Sequence, residues 1–220
     1  MNVYLVPASG GRHELYCEVA SNASADATGA GSFRERLVNR FNRMVAEGEA
    51  AVHGHGQDGP ERGRVRRFIT RRIAEAVAEQ RLLWHLRHET EVRLIYPDEL
   101  PAPTAIASAK SLIAADYAKH RRWCIIDGLI VAITGPLFFF IPGPNIVSWY
   151  FAFRAIGHFF ALRGADQALS RATWTAEPST ALTALRAALA LDHDTRSRRV
   201  DEIAAALGLN RLSWFVEKIA

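Results

Sequence analysis

Lysine is nearly absent from this chain of 220 residues: only Lys110, Lys119 and Lys218 occur, so arginine carries most of its positive charge. Cysteine occurs twice, as Cys17 and Cys124, too few and too far apart for a disulfide framework or a metal-ligand spacing. The opening stretch MNVYLVPASGGRHE has no basic segment leading into an apolar one, which speaks against a signal peptide. Position 2 is Asn and not Gly, so the myristoylation motif is missing. No nucleophile elbow, phosphate loop or metalloprotease motif is present, and the expectation is a protein that is not an enzyme and takes no cofactor. The longest absence is of charge: no Asp, Glu, Lys or Arg stands between Gly128 and Phe153. If the chain reaches a membrane, that run must take it there.

What is present is a globular composition, 49% apolar and 23% charged, with a net charge of +4. A basic balance alone does not choose between nucleic acid, an anionic membrane and no partner at all. VYLVP and LYCEV, separated by a segment holding Gly10 and Gly11, read as a hairpin with strands near 2–6 and 14–19. Ser32 and Glu35 fit a capping box that opens a helix near 33–52, and a second helix is expected over 62–88, with Val65, Ile69, Ile73, Val77, Leu83 and Trp84 on its apolar side. EVRLIYP, 91–97, reads as a third strand that joins the hairpin. A helix over 104–122 leads into the apolar run, RGADQALSRATWTAEPS reads as a connector, and three short helices are expected near 179–191, 196–207 and 210–219. Gly208 stands where a helix C-terminal cap would put it. The fold class is thus mainly α with a small N-terminal antiparallel β-sheet (α+β) and a central apolar helical hairpin. The regions are 1–100, 101–172 and 173–220.

The hairpin is read from two arms, 123–141 and 146–162. At the rise of an α-helix they span roughly 28 and 25 Å, against a hydrocarbon layer of about 30 Å. Pro142, Gly143, Pro144 and Asn145 form the turn: proline cannot continue a helix as a donor, and Asn145 can cap the next one. Lys119, Arg121 and Arg122 precede the run and Arg163 and Arg171 follow it, which puts both termini on the cytoplasmic or matrix side if the arms insert. Three arrangements stay open: a spanning hairpin, a re-entrant one, and a buried pair in a soluble bundle.

Folding the arms about the turn brings Asp127 and His158 to nearly the same level, so this pair is the candidate polar or proton site. Histidine changes charge near neutral pH. Arg154 belongs to the same candidate site, but it lies about a turn and a half from that level and is expected to need another partner: the Thr134 hydroxyl, a carbonyl freed by Pro136, or another subunit. Gly128 and Ala132 in one arm, and Gly157, Ala161 and Ala165 in the other, have the small-residue spacing that lets helices approach closely. The other reading of Asp127 and His158 is a structural hydrogen bond.

Weaker signals lead elsewhere. RRVDEIAAALGLNRLSWFVEKIA has helix-turn-helix features, but Trp214, Phe215 and Val216 suit burial better than base edges, and nucleic acid is not an expected partner. RGRVRRFITRR, 62–72, packs six arginines into eleven residues and reads as a solvated face or a headgroup-binding one. His53 and His55 are two histidines on a loop with no further ligand, so no metal site is assigned. Asp192–Asp194 reads as a helix stop and start.

The stretches VYLVP…ELYCEV, LLWHLRHETEVRLIYP and IPGPNIVSWYFAFRAIGHFFALRGA resemble, in that order, the mitochondrial K+–H+ exchange-related family, which also has bacterial members. The most specific part is the Pro-x-Pro-Asn-Ile turn followed by Tyr, Arg, His and Ala-x-x-Gly. The departures are Val147, where the family pattern has Pro, and Gly157 before His158, where it has Ser. The resemblance implies a bacterial or mitochondrial inner-membrane role in potassium–proton homeostasis. The expected function is a membrane-associated component of monovalent cation/proton exchange or its assembly, with lipid and a second copy or a membrane protein as partners. The alternative is a non-transporting scaffold, membrane-anchored or soluble.

Overall fold

Strand β1 (Asn2–Pro7) is buried at every position after its first. A strand with so continuous an apolar run is covered on both faces. The computed structural model, which describes residues 1–18, 82–139 and 145–219, shows both covers. The helix expected over 33–52, most of that over 62–88, His53, His55, the arginine-rich stretch and the turn residues Pro142, Gly143 and Pro144 lie outside the described residues.

The chain divides into two units. The first comprises Met1–Val19, Leu82–Arg122 and Phe159–Ala220. β1 turns through Gly10 and Gly11, both at positive φ, into β2 (His13–Tyr16), and the two strands pair antiparallel with Tyr4 opposite Tyr16. Glycine makes this turn because a positive φ costs it nothing. β3 (Glu91–Pro97) lies parallel to β1 on its other side, and β4 (Thr173–Ser179) lies parallel to β3, giving the order β2-β1-β3-β4.

The sheet is therefore mixed and four-stranded, not the small antiparallel sheet expected. The stretch read as a connector holds β4. Parallel strands need a long crossover. Between β3 and β4 the chain supplies helix α1 (Ala102–Phe139) and helix α2 (Asn145–Ser170). α1 is continuous through Pro136, where a separate helix ending at 122 was expected, and α2 runs past 162 to Ser170.

Alternation along β1 divides the core. Val3 and Leu5 join Val92, Leu94 and Tyr96 beneath Leu83 and Leu86 of the helical residues 82–86, beneath Ala105, Ala109 and Ile113 of α1, and beneath Ala161, Ala165 and Ala168 of α2. Tyr4 and Val6 face the other way. They pack with Tyr16 against helices α3 (Thr180–Leu189), α4 (His193–Leu207) and α5 (Leu212–Ile219) through Leu182, Leu185, Val200, Ile203, Leu212 and Val216. The unit is a helix–sheet–helix sandwich, and each fully buried Leu or Val in it contributes roughly 1.5–3 kcal/mol. Asp192 caps α4 by accepting from the Thr195 amide at 3.2 Å, and Gly208 ends it at φ 67. These are the stop and start read from Asp192–Asp194 and the C-terminal cap read from Gly208.

α2 approaches the helical residues 82–86 very closely. A Cβ built on Gly164 would lie 1.6 Å from the Leu83 carbonyl oxygen. Only glycine lets two backbones pass at that distance.

The second unit comprises Ala20–Arg81 and Trp123–His158. Its described part is the C-terminal half of α1 and the N-terminal half of α2.

Candidate functional site

Asp127 stands four residues after Trp123 on α1, and Arg154 and His158 stand four apart on α2, so each pair shares a helix face. The structure brings the three polar residues together. Asp127 is 1% exposed. Its Oδ2 lies 3.3 Å from Arg154 Nε and 3.6 Å from His158 Nε2. Among the described residues neither carboxylate oxygen completes a hydrogen bond. A buried ion is expensive unless paired. Here two neighbours that carry or can carry positive charge do the pairing, through proximity and not through aligned donors.

The partner of Arg154 is therefore Asp127 and not Thr134, which donates its hydroxyl to the Ile130 carbonyl within its own helix at 2.7 Å. The helical rise placed the Arg154 backbone too far along the axis for this pairing. The length of the arginine side chain covers the difference. Its guanidinium also lies over the rings of Trp123, Tyr150 and Phe151, at 5.4, 5.8 and 6.0 Å from their centroids. An arginine held over aromatic faces is stabilised electrostatically and is restrained in orientation. The sequence reading gives Trp123 and Tyr150 no such role. The four-residue steps from Trp123 to Asp127 and from Tyr150 to Arg154 were the available signal.

Cys124, on the same side of α1, donates its Sγ–H to the Ala155 carbonyl of α2 at 3.7 Å and ties the two helices together. Gly157, beside His158, is buried. The small residues of α1 do not play the part expected of them: Gly128 and Ala132 are exposed, and nothing lies within 4 Å of a Cβ built on Gly128. At about 100° per residue, the face that turns Asp127 toward α2 turns Gly128 and Ala132 away. Ala161 and Ala165 are fully buried, and they lie in the sandwich core. Asn145 is the first residue of α2.

No group of metal-ligating side chains occurs among the described residues. Nor, among them, is any helix long and apolar enough to cross a membrane. The arms read from the sequence include residues 140 and 141, which lie outside that description.

A mixed sheet with helices on both faces, and two long apolar helices that bury a carboxylate–guanidinium–imidazole cluster, define the class. The chain belongs to the mitochondrial K+–H+ exchange-related family, whose model matches residues 2–171. The match takes in β1 to β3, both long helices and all three polar residues, and it ends before β4. No curated protein and no solved structure matches the chain.

Proposed function

We propose that the chain is a membrane-associated component of monovalent cation/proton exchange and that Asp127, with His158 and Arg154 against it, is its proton-responsive site. The observation that carries this reading is the 1% exposed Asp127 carboxylate with Arg154 at 3.3 Å and His158 at 3.6 Å, in a segment otherwise free of charge. Family membership supplies the exchange context. Arg154 is a permanent positive charge, and histidine can gain one near neutral pH. A proton arriving at either Asp127 or His158 changes the charge balance of the cluster by one unit beside a carboxylate that is 1% exposed. That is the local event a proton-linked equilibrium needs.

One hairpin cannot enclose an ion path, since alternating access uses repeated bundles around a central site. Transport by this chain requires a second copy or a membrane protein partner, with the termini on the cytoplasmic or matrix side. No enzymatic step is assigned to it.

A second reading is a non-transporting scaffold. It is favoured by the Asp127–Arg154 pair, which closes the two helices as a structural clamp does. The test is potassium–proton exchange in vesicles, measured per folded protein across pH, for the wild type, Asp127→Asn and His158→Gln. The proton-site reading expects Asp127→Asn to flatten the pH dependence while the protein stays on the membrane. Equal rates and profiles in all three proteins leave the scaffold.

A further inference from the structure

The half of α1 that holds Asp127 is built inside out. Ile125, Leu129 and Ile133 follow one another at four-residue steps and are 55%, 59% and 68% exposed. Ile126, Gly128, Ala132 and Pro136 are exposed as well. On a helical wheel of about 100° per residue these positions cover an arc of roughly 160°. The opposite arc, with Cys124, Asp127, Ile130, Val131 and Thr134, is the more buried one, and it carries the polar atoms. Water-soluble helices bury a narrow apolar stripe and expose charge. This one exposes an apolar arc and buries its charge.

The width of the arc bears on what covers it. A single partner helix, such as that of a second copy, covers a seam and leaves the flanks of so wide an arc in water. Acyl chains wet all of it. On the same helix, just before Trp123, stand the exposed Lys119, Arg121 and Arg122, whose charge complements anionic headgroups.

Resting on the membrane-associated reading above, we infer that the outward arc of α1 from Ile125 to Pro136 is a lipid-contacting surface, seated among acyl chains while the opposite arc keeps the Asp127 cluster away from them.

The test uses the full chain with Cys17→Ala and Cys124→Ser, a nitroxide on Leu129→Cys, Ile133→Cys or, as the inward control, Ile130→Cys, and vesicles of phosphatidylcholine and phosphatidylglycerol. The expected result is that labels at 129 and 133 collide with oxygen and are shielded from a water-soluble nickel relaxant, while the label at 130 is immobilised. In an unlabelled chain, Leu129→Ser with Ile133→Ser is expected to weaken vesicle partitioning by about tenfold or more with unchanged circular dichroism. Vesicle binding with labels at 129 and 133 open to nickel overturns this surface and leaves the membrane reading standing. Labels at 129 and 133 that are immobilised and broadened by a neighbouring label assign the arc to a second copy instead. Absence of vesicle binding by the unlabelled chain removes both readings.

Discussion

Two glycine-to-alanine substitutions, one on each long helix, should change stability in opposite directions. Alanine is a better helix former than glycine by up to about 1 kcal/mol, so propensity alone favours both changes. At Gly128 nothing lies within 4 Å of the added Cβ, and the propensity gain stands. At Gly164 the Cβ would fall 1.6 Å from the Leu83 carbonyl oxygen, 2.6 Å from its carbon and 3.3 Å from the Arg87 nitrogen. These are backbone atoms, so no rotamer change relieves the clash. The helix must move outward, and Ala161, Ala165 and Ala168 then lose packing in the core beside Leu83 and Leu86. Overpacking of this kind costs up to about 3 kcal/mol, and the propensity gain leaves a net loss of about 2 kcal/mol. For a chain of this size that is a fall of about 4–8 °C in the unfolding midpoint. Thermal melts followed by far-ultraviolet circular dichroism, with urea titrations beside them, measure both variants. A Gly164→Ala protein as stable as the wild type would refute the close approach of α2 to residues 82–86.

Three further outcomes follow from single contacts. Arg154→Met leaves the Asp127 carboxylate buried without its nearest cation and should cost about 3 kcal/mol; adding Asp127→Asn should recover part of that loss in a double-mutant cycle, and additive losses would mean the pair is not coupled. His13 accepts from Arg186 Nη2 at 2.9 Å, and Arg186 in turn meets Glu99 at 2.9 Å; burial first, and then the Arg186 charge, lowers its proton affinity below the usual histidine range. Its contribution is therefore present above the ordinary histidine pKa of about 6.5 and is lost as pH falls below it, so urea midpoints should drop toward pH 5 by less in His13→Gln than in the wild type, and parallel curves would refute the linkage. Gly208→Ala places a side chain at φ 67 and should destabilise the end of α4 by about 1 kcal/mol, read as a lower urea midpoint that an Asn at the same position partly restores.

How much of this was legible in the chain differs from element to element. β3 was read to its residues, 91–97, because EVRLIYP is dense in β-branched and aromatic residues and is followed by Asp98 and Pro101. The three C-terminal helices came out within a few residues because their stops are local: Asp192 caps α4 and Gly208 ends it. β4 was missed. Its sequence, TWTAEPS, holds a glutamate and a proline that an edge strand tolerates, and its pairing partner stands some eighty residues earlier, beyond any local pattern. The parallel direction of β3 and β4 is likewise a property of the crossover between them and not of either strand.

The polar cluster shows the same division. Sequence alone determined that Asp127, Arg154 and His158 would border the apolar run, because the run from Gly128 to Phe153 has no charge and they stand just outside it. It also determined that Asp127 and His158 would lie at similar depth if the arms fold back, since helical rise is a constant. Only the tertiary structure decided which face of each arm turns inward, because that depends on a rotation about the helix axis that a run apolar all round does not specify. That rotation paired Arg154 with Asp127 beside three aromatic rings, turned Gly128 and Ala132 outward with Ile125, Leu129 and Ile133, and set Gly164 against the Leu83 backbone.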